Sequence, residues 1–80
     1  MSQTLDLDSL GYALILLNEI CQGYDSGNYR YRAINAIRAS RVNVPNLSRW
    51  FSNLYPTTKL IKDIERVIEN ITPDQINSDK

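Results

Sequence analysis

Between Asn46 and Ile71 two runs of apolar residues at helical spacing are separated by a proline, and that arrangement leaves little choice of architecture. Leu47, Trp50, Phe51 and Leu54 recur at intervals of three and four, and Leu60, Ile61, Ile64, Val67, Ile68 and Ile71 do the same farther on. Each run therefore needs to bury one stripe. Pro56 lacks a backbone N–H and disfavours helix at Tyr55, so it marks the break between them. Thr57 or Thr58 is expected to cap the second helix by accepting from a free amide. A connection as short as Leu54-Tyr55-Pro56-Thr57-Thr58 brings the two helices side by side in antiparallel fashion, as a helix-hairpin-helix pair.

The rest of the chain supplies partners for those stripes. Residues 1–7 read as a leader, with Asp8 or Ser9 capping a first helix. Leu10, Ala13, Leu14, Leu17, Ile20, Cys21 and Tyr24 trace its apolar face, and Ile15 and Leu16 widen that face enough to place the helix at the centre of the core. Gly23, Asp25, Ser26 and Gly27 end it. A second helix from Asn28 or Tyr29 to about Ser40 carries a narrow face of small residues, including Ala33, Ala36 and Ser40, which lets a neighbour approach closely. Residues 41–45 form an extended link, because Val44 is held out of helix by Pro45, and Asn46 caps the third helix. Thr72 followed by Pro73 can start one further turn before a polar tail, residues 73–80. The expected fold is all-α: a compact four-helix domain, residues 8–72, ending in the helix-hairpin-helix pair.

Eighty residues suffice for one core only, burying roughly 60% of the unfolded surface. There is no histidine and a single cysteine, Cys21, so neither a nitrogen/sulfur metal site nor histidine acid–base chemistry has its residues, and no cofactor is expected. Cys21 sits among apolar helix positions and reads as core, which suits a reducing, intracellular setting. The apolar run from Ala13 to Leu17 is too short for a membrane span, and residues 1–12 contain no basic residue to begin a signal peptide. A soluble protein, or a soluble piece of a larger polypeptide, follows as the expectation.

Net charge is zero, but its distribution is uneven. Residues 1–25 hold Asp6, Asp8, Glu19 and Asp25 with no basic residue. Residues 26–62 hold Arg30, Arg32, Arg38, Arg41, Arg49, Lys59 and Lys62 with no acidic one. Such a block is either a solvated surface neutralised by acidic ends or an anion-binding face. At about 100° per residue, Arg30 and Arg41 fall beside the small-residue face of the second helix, Arg38 lies farther round and Arg32 is opposite, so these four cannot share one ligand.

The segment Asp25-Ser-Gly-Asn-Tyr-Arg-Tyr-Arg-Ala-Ile-Asn-Ala-Ile37 resembles the second-helix signature of the small amino-terminal domain of family X DNA polymerases and of related domains in structure-specific endonucleases. Thr58-Lys-Leu-Ile-Lys-Asp-Ile-Glu-Arg-Val-Ile68 is similar to the helix that follows the hairpin in the same family, and together the likeness covers residues 10–71. It implies a DNA-docking domain of a repair or replication protein, acting on duplex with a gap, flap or single-stranded region. Two positions depart from the family pattern. Tyr55, Pro56 and Thr57 stand where a glycine-x-glycine turn would bring amides up to a phosphate, often with a monovalent cation. Asp63 stands where some members carry a Schiff-base lysine, and a carboxylate forms no imine, so the expectation is a module without lyase activity.

Two functions of different class follow. One is a non-catalytic module contacting the phosphate backbone through Lys59, Lys62 and some of Arg30, Arg38, Arg41 and Arg49, with the Thr57 and Thr58 hydroxyls as further anion ligands and Tyr55 stacking on an exposed base. The other is a protein-interaction domain that has lost DNA contact and uses its acidic ends, basic middle and aromatic residues to pair with a partner or with itself.

Overall fold

The computed structural model describes residues 5–71, which form four helices and no strand: α1 (Leu7–Cys21), α2 (Gly27–Ser40), α3 (Leu47–Phe51) and α4 (Thr57–Glu69). The all-α reading holds. The further turn expected at Thr72 and the polar tail lie outside the described residues.

Helix α1 begins earlier than the expected cap at Asp8 or Ser9. Asp6 is the N-cap, its carboxylate accepting from the Ser9 amide at 3.1 Å and the Ser9 hydroxyl at 2.7 Å. The same residue's N–H donates to the carbonyl of Ser40 at 2.9 Å, while Leu5 and Leu7 pack against the core, so residues 5–7 are fastened to the fold. At its other end α1 closes at Gly23, whose φ of 114° only glycine adopts without strain. The start of α1 thus meets the end of α2, and Glu19 near the end of α1 reaches Tyr29 at the start of α2, so the two run antiparallel. Theirs is the most extensive interface of the fold, because Ala33 and Ser40 are fully buried and keep the α2 surface low.

The buried stripe of α1 is narrower than its spacing predicts. Leu10, Ala13, Leu16, Leu17 and Ile20 are buried, but Ile15 is 58% exposed and points away from α2 and α4. Cys21 is exposed, and Tyr24 lies past the helix, where its ring stacks on Tyr29 at 6.4 Å. The middle of the link behaves as expected, tucking Val42 and Val44 into the core on either side of exposed Asn43, whereas Arg41, expected to be extended, is left-handed and closes α2. Ser40 organises its start: the buried hydroxyl donates to Ile37 O and accepts from Val42 N–H, so no buried polar atom is left unpaired there.

Helix α3 is a single short turn and buries Trp50 alone completely. Asn46 is its N-cap as a position, but it adopts φ 65° and its side chain makes no capping bond. Phe51 and Leu54, counted from spacing as part of the stripe, are 42% and 69% exposed, because five helical residues offer room for one large anchor only. Helix α4 buries Leu60 and Ile64, with Ile61, Val67, Ile68 and Ile71 half-buried along the same side. Its N-cap is Pro56 instead of either threonine: φ −65° and ψ 140° are the extended values proline favours, and the helix then opens at Thr57. No side chain caps it.

Candidate nucleic-acid interface

Arg30 was expected at an anion-binding surface, and the structure assigns it a different task. Its Nε and Nη2 donate to both oxygens of Asp25 at 2.8 and 2.9 Å, and Nη1 donates to the carbonyl of Trp50 at 2.7 Å. A longer bond runs to Asn53 Oδ1 at 3.4 Å. The guanidinium lies 4.9 Å from the centre of the Trp50 ring, close enough for a cation–π contact. Planar, multiply bonded and largely covered, Arg30 clamps the loop before α2 to the hairpin, and its donors are spent inside the fold.

Those bonds from Arg30 hold the Asp25 carboxyl below the usual carboxylate range. The stabilisation is therefore fully present above about pH 3.9, where an unfolded aspartate is ionised, and is lost as pH falls through the lower folded value. Because Asp25 is partly solvated, the effect is small, below about 1 kcal/mol. Melting curves of the native chain and Asp25→Asn should differ at pH 6 and converge in acid; a gap that persists at pH 2 rejects this account.

Tyr55 was expected to offer its ring to a base, and the structure holds it in place. Its hydroxyl donates to Asp63 Oδ2 at 2.6 Å, and the Arg49 guanidinium covers the ring at 5.8 Å from its centre. The hydrogen bond to Asp63 raises the Tyr55 pKa above its ordinary value. Asp63 is thus half-buried and committed to a structural bond at the position where the resemblance would require an amine. Thr57 is likewise occupied, its hydroxyl accepting from Trp50 Nε1–H at 2.9 Å.

The hairpin backbone is mostly closed upon itself. The amides of Ser52, Asn53 and Leu54 donate to Ser48, Trp50 and Arg49 carbonyls, with Asn53 at φ 64° making the turn that glycine makes elsewhere. Amides remain at the uncapped start of α4, where Thr57, Thr58 and Lys59 have the unfilled N–H groups of a first turn. Helix dipole and free donors favour an anion there.

Five of the cations left over divide between two ends of the molecule. Arg49, Lys59 and Lys62 are exposed around the hairpin: Arg49 covers Tyr55, Tyr55 bonds Asp63, and Lys59 lies one helical turn before Asp63. Arg66, four residues after Lys62 on the same helix, lies in the last turn of α4, away from the hairpin. Arg38 and Arg41 belong to the end of α2. Arg41 lines a cleft with Val67, Asn70 and Ile71, at the opposite end of α4 from Lys59 and about 16 Å away along the helix axis. The basic block therefore does not assemble into one face.

No family model matches the chain, and no curated protein or solved structure matches it either. What the site can do rests on its own geometry. Among the described residues no cluster of three potential metal ligands occurs, and no helix is long and apolar enough to cross a membrane. The arrangement offers positive charge, helix-start amides and the Thr58 hydroxyl.

Proposed function

We propose that the domain is a non-catalytic nucleic-acid-binding module that holds the phosphate backbone with its hairpin end, through Arg49, Lys59, Lys62 and the start of α4. One observation carries this reading. Among the described residues the only ion pair is Arg30–Asp25, so these three cations are exposed with no carboxylate partner within ion-pairing distance. Cations three residues apart on a helix, as Lys59 and Lys62 are, stand side by side and can follow successive phosphates. Contacts of this kind position a strand without reading its sequence. The likeness of residues 10–71 to the docking domains of family X polymerases supports the same reading, with gapped, flapped or single-stranded DNA as the substrate and a repair or replication protein as the context. Asp63 supplies no amine for lyase chemistry.

Titration with a gapped duplex at a series of salt concentrations tests it. Three phosphate contacts give log affinity falling against log salt with a slope of roughly −2.7. A slope near zero, or no complex at low salt, rejects the reading. The exposed Phe51 and Leu54 at the hairpin favour a second one, a protein-interaction surface. Sedimentation separates the two: a concentration-dependent dimer indifferent to DNA supports interaction, and a monomer shifted by DNA supports binding.

A further inference from the structure

We propose that the cleft at the far end of the molecule from the hairpin binds a small organic acid, a carboxylate carried on a short apolar chain. The cleft holds about 360 Å³, in the range of small-molecule sites, and lies between the link after α2 and the last turn of α4. Leu5, Val42, Val67 and Ile71 give it apolar walls, and Arg41, Asn43 and Asn70 give it polar ones. A guanidinium presents a planar fork that matches both oxygens of a carboxylate, and the two side-chain amides have N–H donors for the same oxygens. Among the described residues no acidic one lines the cleft, and Arg41 has no ion-pair partner. One cation beside apolar walls suits a singly charged head with a hydrocarbon body better than a doubly charged phosphate.

The backbone at Arg41 points the same way. Arg41 terminates α2 in the left-handed region at φ 64°, ψ 12°, a position that glycine fills without steric cost. The other two non-glycine residues at positive φ among the described residues are Asn46 and Asn53, of the type that tolerates it. A long cationic side chain thus stands at the C-terminal end of α2, where its charge also complements the helix dipole, beside the cleft it lines. This site is independent of the nucleic-acid reading, which makes no use of Arg41.

Amide NMR of the isotope-labelled chain, titrated with hexanoate, hexanol and acetate, tests the inference. Hexanoate should move the resonances of Arg41–Asn43 and Val67–Ile71 saturably, with hexanol and acetate each at least about tenfold weaker for want of the charge or the apolar body. Arg41→Gly separates binding from folding: it removes the guanidinium and relieves the positive φ, so the melting temperature should rise while the hexanoate response disappears. Equal response to hexanol, shifts centred elsewhere, an undiminished response in Arg41→Gly, or no response at millimolar hexanoate overturns the proposal.

Discussion

Trp50→Ala should leave the domain largely unfolded at room temperature. Trp50 is fully buried on a helix of five residues and carries three connections at once. Its ring lies under the Arg30 guanidinium, its Nε1–H donates to Thr57 at the start of α4, and its carbonyl accepts from Arg30. Truncating a buried aromatic costs about 3–5 kcal/mol, comparable with the lower part of the roughly 4–12 kcal/mol range for a chain of this size, which is where a domain this small belongs. Trp50→Phe keeps much of the apolar bulk and loses the bond to Thr57, so it should cost about 1–2 kcal/mol. Urea denaturation followed by far-ultraviolet circular dichroism measures both. An alanine variant within about 1 kcal/mol of the native chain would mean that α3 is not anchored as described.

The second large effect concerns binding. Neutralising the hairpin end with Arg49→Gln, Lys59→Gln and Lys62→Gln together should weaken DNA affinity roughly 500-fold at about 0.1 M salt, because each lost phosphate contact removes about 0.9 of a decade per decade of salt. The slope should shrink by about 2.7 at the same time. All three side chains are exposed, so the helical content should stay as it is. Arg38→Gln, at the other end, should change affinity little. If the triple variant binds as the native chain does, or if Arg38→Gln is the damaging change, the hairpin end is not the contact surface.

Much of the fold could be read from periodicity and punctuation. The glycines between Ile20 and Asn28, Pro45 and Pro56 bracket the four helices closely, because breaking a helix is a local property of the backbone. Which apolar side chains go inside depends on the size of the neighbour, and there the spacing misled. Ile15, Cys21, Phe51 and Leu54 fit a stripe and are exposed, since α2 covers only part of α1 and α3 is too short to cover more. The candidate site was less legible still. Arg30 reads as one more cation in a basic block, and its role depends on a carbonyl twenty residues away in the chain. Tyr55 and Asp63 look like a free aromatic and a lone acid until the hairpin brings them within hydrogen-bonding distance. The exposed positions of Lys59 and Lys62 did follow from the pattern, because the polar side of α4 is fixed by the apolar one.

The Arg30 clamp ties two chain reversals that are remote in sequence, the Asp25 loop and the Asn53 turn, to one guanidinium. Neither can loosen alone without stranding donors, so amide exchange in the first turn of α2 and in residues 52–54 should proceed by a shared opening event. A strand gripping the hairpin would then slow exchange at both places, including one it never touches.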